Sequence, residues 1–93
     1  MYEFILTTRY KKDFKKLQKR SMAEVILAVG ILDILREQGA KGIPSQMKLH
    51  KLKGEYNDNW ECHIKPDLLI IWFQIESPKI IKLIRIGSHS DLF

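Results

Sequence analysis

After a short opening strand, the apolar residues of this chain change their period within a single loop. From Arg9 to Gln38 they recur at helical spacing; after Ser45 they alternate or run together. A chain that spends its helical period first and its strand period last builds an α+β domain, with helices on one side of an antiparallel sheet. The junction, Gly39-Ala40-Lys41-Gly42-Ile43-Pro44-Ser45, is a loop by composition.

Tyr2 to Thr7 alternates loosely and reads as an opening strand, and Thr7-Thr8 suits the start of a helix. From Arg9 to Arg20, Tyr10, Phe14 and Leu17 fall at i, i+4, i+7, one face of a helix whose other faces are rich in lysine. Ser21-Met22-Ala23-Glu24 has the capping-box pattern, so a second helix begins there and runs to about Gln38, stopped by Gly39. The tight joint at Arg20-Ser21 makes the two helices a hairpin. The second helix carries two apolar stripes, Val25/Val29/Leu32 and Leu27/Ile31/Ile34. That exceeds the third of its circumference a surface helix needs; the excess is core or a patch for a partner, and core burial is expected to explain most of it.

In the second half, Met47 to Leu52 forms a short strand or extended segment, followed by turns at Gly54 and Asn57-Asp58-Asn59. Trp60 to Lys65 alternates, Trp60, Cys62 and Ile64 facing one way and Glu61, His63 and Lys65 the other. Leu68 to Ile75 is nearly all apolar, as a central strand buried on both faces would be. Ile80 to Ile86 is the last strand, ended by Gly87. The order is β-α-α-β-β-β, an antiparallel sheet packed against an N-terminal helical hairpin. With 93 residues the chain is one domain, 1–93.

Several classes are excluded at this stage. No apolar run approaches the roughly 20 residues of a membrane span, and the start, Met1-Tyr2-Glu3-Phe4, lacks the basic region of a secretory signal. One cysteine, Cys62, forbids an internal disulfide and a multi-cysteine zinc site, and is expected to be a small core residue in a cytoplasmic protein. The net charge of +5 is concentrated in residues 1–20, which hold seven Lys/Arg against two acids. Such a domain attracts polyanions: nucleic acid, the ribosome or an acidic protein. The lysine run read by itself is a solvated helix face.

The ionisable residues gather in the second half. His50, His63 and His89 all lie near strand ends or turns, and histidine alone holds or releases a proton near neutral pH with its ordinary pKa. Glu61, His63 and Lys65 share one strand face, and a hairpin at Pro66 can bring His63 near Asp67. A polar, ionisable face on a basic domain suits acid–base chemistry on an anionic substrate. Plainer readings stand beside these. Asp67 after Pro66 is an ordinary turn residue. Trp60 and Trp72 are core residues, and the histidine spacings match no zinc motif, so no metal or other cofactor is expected. The tail Ser88-His89-Ser90-Asp91-Leu92-Phe93 either packs under the sheet or binds, with Phe93 available to stack on a nucleobase.

Three segments together resemble the YafQ-type branch of the RelE/ParE toxin superfamily. They are His50-Lys51-Leu52-Lys53-Gly54, Trp60-Glu61-Cys62-His63-Ile64-Lys65-Pro66-Asp67-Leu68-Leu69-Ile70 and Arg85-Ile86-Gly87-Ser88-His89-Ser90-Asp91-Leu92-Phe93. The first 45 residues agree in layout more than in motif. The resemblance implies a RelE-like fold and the toxin of a bacterial type II toxin–antitoxin pair. It further implies a metal-independent, ribosome-dependent endoribonuclease that cuts messenger RNA in the cytoplasm and is neutralised by a cognate antitoxin. Carried over by position, the active residues fall on His50, His63, Asp67, His89 and Phe93, with Glu61 at an acidic position and Arg85 at a basic strand position. On that reading Asp67 or His50 is the base, His89 the acid, and His63 and Arg85 hold the phosphate. Phe93 stacks a base, and Lys51, Lys53 and the first helix contact RNA backbone. The free toxin is expected to be a monomer, and a hetero-oligomer with its antitoxin. The competing reading is a non-catalytic inhibitor or binding module on the same scaffold, such as a gyrase-directed ParE-like toxin. A third is an inactive relative that only binds its antitoxin.

Overall fold

Thr7 and Ser21 punctuate the first half of the chain. In the computed structural model, which describes residues 1–93, strand β1 (Glu3–Leu6) ends at Thr7 and helix α1 (Thr8–Arg20) begins. The Thr7 hydroxyl accepts the Tyr10 N–H at 3.2 Å and donates to the Leu83 carbonyl at 2.8 Å, capping the helix and tying it to the sheet. Ser21 closes α1 and caps α2 (Met22–Gln38), its Oγ accepting the Glu24 N–H at 3.2 Å. The Glu24 carboxylate does not return the bond; it pairs with Lys65 Nζ at 3.2 Å. Gly39 ends α2 at φ +69°, and a Cβ there would lie 2.8 Å from the Tyr2 hydroxyl, so both backbone and space require glycine.

The second half is a meander of β3 (Trp60–Lys65), β4 (Leu68–Glu76) and β5 (Lys79–Gly87), all antiparallel, with the two-residue β2 (His50–Lys51) added on the outside of β3. Within the expected extended segment only these two residues pair, and Met47 closes a helical turn, Ser45–Met47. The tail folds into a single turn, α3 (His89–Leu92). Sheet order is β1-β5-β4-β3-β2, which puts the nearly all-apolar β4 in the centre. The α+β class and the helical hairpin are as the sequence implies. One pairing adds to it: β1 runs parallel to β5, Glu3 opposite Ile80 through Leu6 opposite Leu83. No tight turn joins these strands, so nothing local forces them antiparallel.

The hairpin covers one sheet face. Tyr10, Leu17, Val25, Ala28, Ile31 and Leu35 meet Cys62, Leu68, Ile70, Trp72, Ile81, Leu83 and Ile86 in one core. Trp72 is fully buried and donates its indole N–H to Gln74 Oε1 at 3.1 Å. Burial, with Glu61 nearby, pushes the Cys62 thiol up to about 12, which makes it an inert packing residue. Trp60 is half-buried against the same core.

The expected fate of the α2 stripes needs correction. The helix turns Val25, Ala28, Ile31 and Leu35 inward, while Met22, Ile26, Leu27 and Val29 stay exposed. The sheet and α1 reach only one side of α2, so the second apolar side has nothing in the chain to bury it. No helix is long and apolar enough to cross a membrane.

Tyr10 carries the one buried polar side-chain atom without a partner. Its ring stacks on Phe14 with centroids 5.9 Å apart, and its hydroxyl bonds to nothing in the protein. Burial, with Asp13, drives the phenol pKa well above its ordinary value. Tyr10→Phe keeps the ring and removes the orphan. It should leave stability unchanged or raise it by up to about 1 kcal/mol in urea titration, and a loss of more than ~1 kcal/mol would contradict the unpaired hydroxyl.

Candidate active site

Strand register assembles a row of ionisable residues on the sheet face away from the hairpin. His50, Glu61, Ile71 and Arg85 stand opposite one another across β2, β3, β4 and β5, and His63, Leu69 and Gly87 form the adjoining row. Residues opposite one another in paired strands share a face, as do residues two apart along a strand. A small apolar cluster, Tyr56, Leu69, Ile71 and Leu92, supports this side.

Glu61 is the pivot. The alternation of β3 predicts a polar, solvated position, yet Glu61 is 4% exposed, because His50 and His63 close over it. Its Oε1 lies 3.2 Å from His50 Nε2 and 3.5 Å from His63 Nε2, and the two rings stand 6.5 Å apart. His50 Nδ1 lies 2.7 Å from the Lys48 carbonyl, which can only accept, so Nδ1 carries a proton. Glu61 thus holds both imidazoles against one carboxylate oxygen. His63 also borders a cleft of about 350 Å³ with Gln46, Met47, Lys48, Lys65 and Pro66.

The last turn brings the second group. Asp67 forms no ion pair with His63; its Oδ1 accepts the His89 backbone N–H at 2.9 Å, joining the β3–β4 turn to α3. The expected approach of Asp67 to His63 is thereby replaced by one to His89, since α3 returns over the end of β4. Leu92 is buried, and Phe93, 57% exposed, sits 5.1 Å from the His89 ring and edge-on to Tyr56 at 5.8 Å. The tail therefore packs through Leu92 and leaves an aromatic ring and an imidazole facing outward together.

Arg85, which the resemblance assigns to the phosphate, has its guanidinium engaged by protein groups. It is 7% exposed and bidentate with Asp13, Nε to Oδ2 at 2.7 Å and Nη2 to Oδ1 at 3.1 Å, while Nη1 donates to the Tyr56 hydroxyl at 3.1 Å. These bonds, Asp13's above all, hold the guanidinium pKa above its ordinary value. Arg85 reaches the exposed site through Tyr56 and, in turn, Phe93. Lys51 pairs with Asp58 at 3.1 Å and lies over Trp60 at 5.2 Å; Lys53 is exposed and makes no ion pair. Tyr56 and Asp13 have no periodic signal in the sequence. Tyr56 sits in a turn, Gly54–Tyr56, and Asp13 is the sole acid of a lysine-rich helix, which was the available clue.

The largest cavity, about 580 Å³, lies away from this face, between α1, α2 and β1. Its lining includes Phe4, Phe14, Val29 and Leu32, with Lys15 and Arg36 at the edge. It holds no histidine and its lining is mostly apolar, so the smaller, ionisable face is the stronger candidate for acid–base chemistry.

The chain matches the protein family described as bacterial toxin of type II toxin-antitoxin system, YafQ, over residues 2–93. A metal-bound toxin from Helicobacter pylori is similar at 32% identity and TM-score 0.85, covering 100% of both chains. YafQ in the E. coli DinJ-YafQ toxin-antitoxin complex is similar at 26% identity and TM-score 0.83, with 99% of this chain and 97% of that one covered. A crystal structure of a mutant E. coli YafQ has the same fold, with TM-score 0.88 at 24% identity over 100% and 99% of the two chains. No curated protein sequence is matched.

Proposed function

The chain belongs to the YafQ family of toxins from bacterial type II toxin–antitoxin systems, and from that premise we propose that it is an endoribonuclease cutting messenger RNA on the ribosome. The observation that carries the reading is the shared carboxylate: Glu61 holds His50 and His63 on the same sheet face from which His89 and Phe93 emerge.

In this reaction the ribose 2′-OH attacks the adjacent phosphorus. The 2′-O–P bond forms, the P–O5′ bond breaks, one proton leaves the 2′-oxygen and another reaches the 5′-oxygen, giving a 2′,3′-cyclic phosphate and a 5′-hydroxyl. Proton transfers of this kind contribute about 10²- to 10⁴-fold each. Asp67, whose Oδ2 is uncommitted, serves as the base, with His50, held by Glu61, as the alternative. His89 is the acid. His50 and His63 offset the charge on the phosphorane. Phe93 stacks a base, worth ~1–3 kcal/mol, and Arg85 holds Tyr56 behind it. Lys51 and Lys53 contact RNA backbone without reading sequence.

The proposed partner is a cognate antitoxin, as E. coli YafQ is solved with DinJ. The exposed apolar side of α2 and the basic α1 offer it a surface; a disordered acidic segment that folds on contact fits both. The toxin works in the bacterial cytoplasm, monomeric when free.

The test is in-vitro translation with end-mapping of the transcript, with and without ribosomes. Cuts within the open reading frame, ending in 2′,3′-cyclic phosphate and only when ribosomes are present, are the expected result. Growth arrest with intact transcripts, persisting in His89→Ala, would instead favour the non-catalytic, gyrase-directed reading.

A further inference from the structure

The α3 turn has four residues, and one helical turn has no stability of its own. Its order must come from its ties. One is Leu92, buried beside Tyr56, Leu69 and Ile71. A second is Asp67 Oδ1, which accepts the His89 N–H at 2.9 Å, and the other polar ties converge on Asp91. Its N–H donates to Ser88 Oγ at 3.1 Å and its Oδ2 accepts the Ser88 N–H at 3.1 Å, a reciprocal capping box. Two cations from α1 reach the same carboxylate, Lys16 Nζ at 3.3 Å from Oδ1 and Arg20 Nη1 at 3.3 Å from Oδ2. Gly87 lets the strand come this close, since a Cβ there would stand 3.2 Å from Asp91 Oδ2. Helix α1 packs against β5 on the hairpin side, so this carboxylate is the point where the hairpin grips the turn carrying His89.

We propose that Asp91 is a positioning residue, latched by Lys16 and Arg20, that fixes where the His89 imidazole and the Phe93 ring stand. The inference rests on the reading of this face as the RNA-cleaving site. It also reassigns part of the basic helix: Lys16 and Arg20 serve the latch, while Lys12 and Lys19 remain for polyanion contact. Hydrogen bonds from Ser88, aided by Lys16 and Arg20, hold the Asp91 carboxyl well below the usual carboxylate range. A group depressed in this way gives its contribution in full above the unfolded value of about 3.9 and loses it as pH falls through the folded value. The latch is thus fully charged wherever the enzyme works, and its removal changes the height of a pH–rate profile without moving its limbs.

The experiment compares steady-state cleavage on mRNA-programmed ribosomes by four variants of the full chain: Asp91→Ala, Lys16→Gln/Arg20→Gln, Lys12→Gln/Lys19→Gln and His89→Ala. Displacing a catalytic group by about 1 Å costs on the order of 10²-fold. Asp91→Ala and Lys16→Gln/Arg20→Gln should therefore each lower kcat roughly tenfold to a hundredfold, with KM for ribosomes within about twofold. Lys12→Gln/Lys19→Gln should instead raise KM and flatten its salt dependence, with kcat unchanged. If Lys16→Gln/Arg20→Gln behaves like Lys12→Gln/Lys19→Gln, the two cations are RNA contacts and the latch is refuted. Should Asp91→Ala fail to fold, the Lys16/Arg20 pair alone decides. His89→Ala separates the premises: normal cleavage by it overturns the site reading, whereas its inactivity beside normal kcat in the latch variants overturns only the positioning role.

Discussion

Asp13→Ala should lower the stability of this domain by about 3–5 kcal/mol, enough to drop Tm by at least ~12 °C at this chain length. The reason is what the substitution strands. Arg85 is buried on β5, and both oxygens of Asp13 face its guanidinium. Asp13 Oδ2 also accepts the Ile86 N–H at 3.1 Å. Removing the carboxylate leaves a buried cation without a counter-charge and a backbone donor without an acceptor. The arginine cannot escape by losing its proton, because guanidinium stays protonated at any pH the fold survives. Urea denaturation with an unchanged m-value is the appropriate measure. Asp13→Ala/Arg85→Met should recover much of the loss, since an apolar pair of similar volume has no desolvation to repay. A single-variant cost below ~1 kcal/mol would mean that the ion pair is solvated and contributes little.

The second large effect is kinetic. His89→Ala is expected to reduce ribosome-programmed cleavage by about 10²- to 10⁴-fold, the contribution of one general acid. Thermal stability should barely change, because the His89 side chain is exposed and Leu92 anchors the turn. Asp67→Ala should fall in the same range by two routes, loss of the base and loss of the acceptor for the His89 N–H. Near-wild-type rates in both would remove the acid–base assignment. His50→Gln and Glu61→Gln make a useful pair. If the carboxylate acts through the imidazoles, each alone should lower the rate, and the double variant should be little worse than the more damaged single.

Much of the architecture was legible because it is written locally. Thr7 and Ser21 cap helices where hydroxyls precede apolar periodicity, and the all-apolar Leu68 to Trp72 run sits in the centre of the sheet. What escaped is what depends on pairing across the chain. The direction of β1 is set against a strand nearly the whole sequence away. The outward side of α2 looks like core by composition, yet which apolar side faces the sheet depends on a docking angle that no window of residues contains. The candidate site shows the same division. The histidines announce themselves by residue type, and the turn at Pro66 pointed to Asp67. The burial of Glu61 beneath two rings follows from β2 joining β3 by only two residues. The phosphate role of Arg85 came from the resemblance alone; its partner, Asp13, lies in another element, where a single acid among lysines looks like solvated surface.

The parallel seam between β1 and β5 also bears on how the molecule comes into being. Glu3 waits for Ile80 and Asp13 for Arg85, so neither the first strand nor the buried cation finds its mate until almost all of the polypeptide has been made. Long-range closure of this kind slows folding. A growing chain therefore carries a paired helical hairpin at most, with no assembled histidine face. For a toxin, that ordering is protective: the ribosome building it releases a finished copy before that copy can become a poison.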